Sequence, residues 1–161
     1  MEATKNIYIV LDNIKYAQNI GPIFRLADAF KVKKIFLCRG KIQRLNPNQE
    51  RILYKASRGA VKWVEWEFKT SCLEVIKDLK SQNIDIIGVE TGNNAELINE
   101  TVFHSPVALV FGAEDDGISE EVLKLCDKLV KIPMYGKGKS LNISSSLSIA
   151  VYEVFKNIGL S

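Results

Sequence analysis

The residues whose types and spacing suit chemistry begin near the C-terminus, in IPMYGKGKSLNISSSLSIAVYEVF from Ile132 to Phe155. An apolar run ending at Val130 and Ile132 reads as a strand, Pro133 stops it, and Gly136 and Gly138 make a loop. Ser140 and Asn142 come next. Ile143, Leu147, Ala150, Val151, Val154, Phe155 and Ile158 then recur at helical spacing. Ser144, Ser145, Ser146 and Ser148 keep the first turns of that helix narrow. A strand, a glycine loop and a helix N-terminus make a cradle, because free backbone N–H groups point out of the loop. One occupant would be a nucleotide triphosphate, since Gly138-Lys139-Ser140 is the tail of the G-x-x-x-x-G-K-[ST] phosphate loop. The leading glycine of that loop would fall at Pro133, which has no N–H to offer and cannot take the turn. A nucleotide hydrolase is therefore the weakest alternative, and a strand–loop–helix with no ligand is the simplest.

Two further loops follow apolar runs: Glu90-Thr91-Gly92 after IDIIGV, and Gly112-Ala113-Glu114-Asp115-Asp116-Gly117 after VALVF. In open α/β sheets ligands gather beyond the carboxyl ends of strands. Three adjacent acids either bind magnesium or face solvent in an exposed turn, and the second reading ranks first because the phosphate loop beside them is incomplete. No G-x-G-x-x-G follows the first apolar run, which argues against a common dinucleotide fold. His104 is the sole histidine and lies outside these loops, so no His–Asp relay is evident for Ser140, which argues against a hydrolase triad. Cys38, Cys72 and Cys126 are far apart and lack C-x-x-C spacing, which excludes a zinc or disulfide framework and suits a reduced compartment.

The elements that must position these loops alternate along the chain. IYIVL (7–11), KIFLC (34–38), 84–89, 107–111 and 128–132 read as buried strands. Ile20, Ile23, Phe24, Ala27 and Phe30 mark a helix with Asn19 placed as its cap. Trp63, Val64 and Trp66 read as a short strand. Ser71 with Glu74 forms a capping box before Leu73, Ile76 and Leu79, and Ser119 caps a helix that starts with Glu120 and Glu121. The segment 40–59, with Arg39 just before it, is irregular and basic. It carries Lys41, Arg44, Arg51, Lys55 and Arg58, with a helix from Pro47 onward, and is either an RNA contact or a solvated loop. Alternating strands and helices imply an α/β fold with a mainly parallel sheet. At 161 residues, 47% hydrophobic and 25% charged, the chain reads as one domain, 1–161. A net charge of +3 permits an anionic partner without demanding one. No apolar run reaches membrane-spanning length and no signal-peptide pattern opens the chain, so a cytoplasmic protein without a membrane partner is expected.

Three stretches taken together resemble the motifs of the SpoU (TrmH-like) RNA ribose methyltransferases of the SPOUT superfamily. They are Asn19-x-Gly21-x-x-x-Arg25, then Val110-Phe111-Gly112-x-Glu114-x-x-Gly117, then Ile132-Pro133-Met134 followed by Ser140-Leu141-Asn142. They occur in the family's order and span nearly the whole chain. The resemblance implies a parallel sheet with helices on both faces and a C-terminal trefoil knot, which general rules against threaded chains would not have suggested. In that fold Gly136, Gly138 and the serines would permit close backbone passage. It further implies S-adenosylmethionine as cofactor, no metal, RNA as substrate, and a homodimer with the helix after Asn19 and the last helix at its interface. Ile20, Phe24, Val151 and Phe155 would serve that interface or the domain's own core.

Carried over residue by residue, Thr91, Gly112, Ile132 and Leu141 would hold the cofactor. Arg25, Asn19, Glu114, Ser140 and Asn142 would lie at the RNA side as the catalytic set. Arg25 is the family's proposed catalytic residue, reaching the partner subunit's cofactor. A guanidinium with a pKa above about 12 is a poor base, so positioning of phosphate and ribose is the safer role. Its bland alternative is a salt bridge to Asp28 or Glu114, and for Glu114, Ser140 and Asn142 it is loop and helix capping. Small relatives act on transfer RNA and larger ones often on ribosomal RNA, so the resemblance favours tRNA over rRNA. The alternative from another class is a catalytically silent, knotted RNA-binding dimer.

Overall fold

A computed structural model describes residues 6–15, 17–38 and 44–159. Its strands are β1 (Ile7–Asp12), β2 (Lys34–Cys38), β3 (Trp66–Lys69), β4 (Asp85–Val89), β5 (Glu96–Leu97), β6 (Val107–Phe111) and β7 (Lys128–Lys131). The helices are α1 (Ala17–Ala29), α2 (Pro47–Ala56), α3 (Cys72–Ser81), α4 (Glu120–Leu123) and α5 (Ile143–Ile158). The strands form one sheet in the order β3-β2-β1-β6-β4-β7-β5, and every neighbouring pair is parallel. The expected α/β class with its parallel sheet is what forms.

The centre of the sheet explains its apolar runs. In β1, Ile7, Ile9 and Leu11 point into one core with Ile20, Ile23 and Phe24 of α1 and Leu147, Val151 and Val154 of α5. Val10 points the other way, among Val75, Ile76 and Leu79 of α3 and Val122 of α4. Helices thus cover both faces, and a strand buried on both faces must be apolar at every position.

Several local expectations shift. α1 begins at Ala17, so Asn19 lies inside its first turn and does not cap it. Trp63 and Val64 follow a 3-10 turn, and the strand starts only at Trp66. The Ser71 side chain caps α3 by accepting from the Glu74 N–H, whereas Ser119 stands at the α4 N-cap without a side-chain bond. The helix expected from Pro47 is α2, closed by a reciprocal Asn46–Gln49 capping box. Strand β5 had no counterpart in the sequence reading. Two residues paired only with Val130 and Lys131 are too short to carry a period.

Candidate functional site at the carboxyl edge of the sheet

Because β1, β6, β4 and β7 are adjacent and parallel, the loops that leave them emerge side by side. The register is direct: Leu11 lies beside Phe111, Gly88 beside Val110, and Val89 beside Val130. Segments more than a hundred residues apart in sequence therefore share one edge.

The loop after β6 is folded tightly on itself. Ala113 and Gly117 form an antiparallel bridge, and Gly117 takes φ +68°, which a side chain would strain. A Cβ on Gly112 would overlap the Gly117 carbonyl and the Ile118 amide nitrogen, so only glycine fits there. Glu90, at the end of β4, locks this loop. Its Oε2 accepts the Ile118 N–H at 3.0 Å and its Oε1 the Thr91 N–H at 3.0 Å. Its own N–H donates to the Val130 carbonyl at 2.9 Å. One residue therefore ties the ends of β4 and β7 to the loop after β6.

The first and second sequence motifs meet directly. The Asn19 amide Nδ2 donates to Glu114 Oε1 at 2.7 Å. Beside this bond, Lys15 Nζ lies 3.5 Å from both Asp115 and Asp116. The Asp116 carboxylate, with help from Asp115, raises the Lys15 pKa against a smaller opposing effect of burial. The acidic turn is thus a clasp onto the start of α1. Among the described residues no cluster of His, Cys, Asp or Glu could hold a metal ion.

Arg25 stands apart. It is exposed and makes no hydrogen bond or ion pair among the described residues. The two salt bridges considered from sequence do not form, since Asp28 accepts the Trp63 Nε1–H at 2.8 Å and Glu114 is held by Asn19. Six residues beyond Asn19, Arg25 sits about 9 Å along the helix and about 120° around it. It therefore does not share Asn19's direction.

The third motif is open. Ile132 is partly buried against the core, while Ser140, Leu141 and Asn142 are exposed. Asn142 caps α5, with Oδ1 accepting the Ser144 N–H at 2.9 Å and the Ser144 hydroxyl at 2.7 Å. Lys139 and Ser140 precede this cap by several residues and are not in the helix's first turn, unlike a phosphate loop. A Cβ on Gly136 or Gly138 would meet nothing within 4 Å, so these glycines are not explained by close backbone passage in this chain. Close approach is found instead at Gly112 and at Gly21, where a Cβ would overlap Ala56 of α2.

The structure thus joins Asn19 to Glu114 and sets Thr91 and Gly112 at adjacent loops, while Arg25, Ser140 and Leu141 remain unjoined to them. Sequence reasoning missed Glu90 and Lys15 as organisers. The only local signal was their position at the edges of strand and helix. Ile20, Phe24 and Val151, offered for an interface or a core, are buried in the core, and Phe155 is only partly buried. Of the basic segment, Arg39, Gly40 and Lys41 lie outside the described residues. No helix among the described residues is long and apolar enough to cross a membrane.

Comparison with known proteins places the sequence and its fold. The SpoU rRNA Methylase family matches residues 6–152. The 23S rRNA (guanosine-2'-O-)-methyltransferase RlmB of Nitrosomonas europaea is 31% identical over 150 residues, covering 93% of this chain and 56% of the relative. The chain therefore spans little more than half the length of that relative. The crystal structure of the Aquifex aeolicus TrmH/SpoU tRNA modifying enzyme is 28% identical, with TM-score 0.82, covering 95% of this chain and 75% of the other. The SpoU methyltransferase AviRb of Streptomyces viridochromogenes, solved with AdoMet, shares the fold at TM-score 0.81 and 23% identity, covering 93% of this chain and 59% of the other. Matched from its first strand into its last helix, the chain belongs to the SpoU methylase family.

Proposed function

We propose that the chain transfers the methyl group of S-adenosylmethionine to a ribose 2'-hydroxyl of structured RNA, with tRNA favoured over rRNA. The observation that carries this reading is the Asn19–Glu114 bond, which assembles two family motifs at the carboxyl edge of a parallel sheet. The tRNA preference is supported by the likeness to the Aquifex aeolicus TrmH/SpoU tRNA modifying enzyme, 28% identical at TM-score 0.82.

The open faces of Gly92, Gly136 and Gly138 fit a ligand that lies against bare backbone, since no atom stands within 4 Å of a Cβ built on any of them. The cofactor would be held by Thr91, Gly112, Ile132 and Leu141, and when bound it supplies a methyl group on a cationic sulfur. Arg25 holds the RNA phosphate and ribose in line. The 2'-hydroxyl proton is lost to the RNA phosphate that Arg25 holds, or to water, as the methyl group arrives, and alignment of this kind accounts for much of the barrier reduction. Asn19 fixes one oxygen of Glu114, while Ser140 and Asn142 border the RNA side.

A threaded C-terminus is supported by the order of the sheet. The last strand, β7, is inserted between β4 and β5, which are consecutive in the chain, and α5 then returns to pack on α1. A homodimer is supported by the direction of Arg25 and by an apolar surface on the two outer helices. Tyr152 is 52% exposed and Ile149 39% exposed, and the ring of Phe30 packs edge-on to those of Tyr152 and Phe155. A single catalytic domain working in the cytoplasm, with RNA as its partner and no metal, completes the reading. Titration calorimetry with S-adenosylhomocysteine, with ATP–magnesium in parallel, tests it. Binding of the first near one per chain and none of the second is expected; binding of ATP alone would overturn it.

A further inference from the structure

A groove of about 560 Å3 opens between α2 and the outer strand β3. Tyr54, Trp66 and Phe68 supply its aromatic surface, and Arg44, Arg51 and Lys62 supply three cations against one carboxylate, Glu50. The aromatic surface is set before any ligand arrives. The Trp66 Nε1–H donates to the Val61 carbonyl at 3.1 Å, and its ring meets Phe24 and Phe68 edge-on at 5.5 and 5.1 Å. Tyr54 is 47% exposed, with Lys62 Nζ 4.7 Å from its ring centre.

We infer that this groove takes an unstacked nucleobase of a single-stranded RNA segment, with the flanking phosphates on Arg44, Arg51 and Lys62. The inference rests on RNA being the substrate and adds where a nucleotide other than the methylated one is held. Exposed aromatic rings bordered by cations match a base joined to phosphates, whereas an apolar protein segment would leave the cations uncompensated. The volume lies in the range of small-ligand sites. A continuous duplex cannot enter, because its bases are stacked and its readable edges lie in a deep groove. The groove also connects to the proposed catalytic helix. α2 touches α1 where Gly21 meets Ala56, and Trp63, next to Lys62, bonds Asp28 one turn beyond Arg25.

The test uses the full chain, a fluorescein-labelled uridine dodecamer and a duplex RNA of equal length, read by anisotropy, with S-adenosylhomocysteine calorimetry on every variant. Tyr54 and Arg51 are exposed on α2, so their substitution leaves the core intact. Tyr54→Ala should weaken dodecamer binding by about 10-fold or more, Tyr54→Phe should restore it, and duplex binding should not respond. Arg51→Ala should lower the slope of log affinity against log salt by about 0.7. Homocysteine-analogue affinity should stay unchanged in all three. Wild-type dodecamer affinity in both Tyr54→Ala and Arg51→Ala, with cofactor-product binding intact, would overturn the groove and leave the methyltransferase reading standing. Tyr54-dependent dodecamer binding by a protein that ignores S-adenosylhomocysteine would support the groove and remove the enzyme reading. Failure to bind either ligand would remove both.

Discussion

Gly112→Ala is the substitution that most directly tests the architecture of the motif edge. The added methyl would overlap backbone atoms of Gly117 and Ile118, which cannot rotate away as a side chain could. Either Gly112 or the 113–118 segment must move. Moving Ile118 breaks its 3.0 Å bond to Glu90, and moving Glu114 strains its 2.7 Å bond to Asn19. Overpacking costs typically about 1–3 kcal/mol, and a partly buried N–H left unpaired adds roughly 1–3 kcal/mol. The sum, about 2–6 kcal/mol, is under most of the roughly 5–15 kcal/mol range of typical domains, so the variant should fold. At about 2–4 °C per kcal/mol for a chain of this size, its melting temperature should fall by roughly 4–24 °C. Differential scanning fluorimetry reads that shift, and calorimetry should show S-adenosylhomocysteine affinity reduced by at least about tenfold. Gly138→Val is the counterpart. Its Cβ faces open space, so melting should not change, and a loss of affinity there would report ligand occupying that space. A Gly112→Ala protein that melts within about 2 °C of wild type and binds normally would refute the reasoning.

Arg25→Ala should abolish methyl transfer to RNA while leaving S-adenosylhomocysteine affinity within about twofold, because Arg25 is exposed and makes no hydrogen bond or ion pair among the described residues to those assigned to the cofactor. Substantial residual transfer would remove its catalytic role. Tyr152→Asp places a charge on the exposed apolar surface of α5 and should shift sedimentation toward monomer; an unchanged dimer would place the interface elsewhere. Asp127 accepts the Ile86 N–H at 2.8 Å and pairs with Lys80 at 2.6 Å. Burial is the largest single effect on its carboxyl and pulls the pKa up, but the Lys80 and Ile86 interactions together hold it below the usual value. A lowered folded value gives stability that is present above the unfolded pKa near 4 and lost as pH falls through the folded value. Asp127→Ala should cost about 1–3 kcal/mol at neutral pH, chiefly through the abandoned Ile86 N–H, and the gap to wild type should narrow below about pH 4. A gap that widens in acid would contradict the sign.

The class of fold was legible because a central parallel strand must be apolar on both faces, and IYIVL and VALVF state that without any partner. What brings the loops together was not legible, since it depends on strand order, and no residue of β6 announces that it lies between β1 and β4. The glycines show the same division. Gly138 belongs to the loop where the resemblance implies close backbone passage, yet open space surrounds it. Gly112 looked like one member of an acidic turn, yet its neighbour in space is the far end of that same turn. Local pattern locates a loop; only the path of the chain decides which glycine is compressed. Arg25 carries this furthest. A motif places Asn19 and Arg25 in one line of text, but six residues of helix turn them about 120° apart. One subunit therefore does not aim both at the Glu114 loop, and in the proposed dimer a second copy of the chain would supply the missing direction. If Arg25→Ala subunits and Glu114→Ala subunits, each inactive alone, regain transfer when mixed, Arg25 acts across the interface. If mixing restores nothing, each site must be completed within its own chain, and the direction of Arg25 would need another explanation.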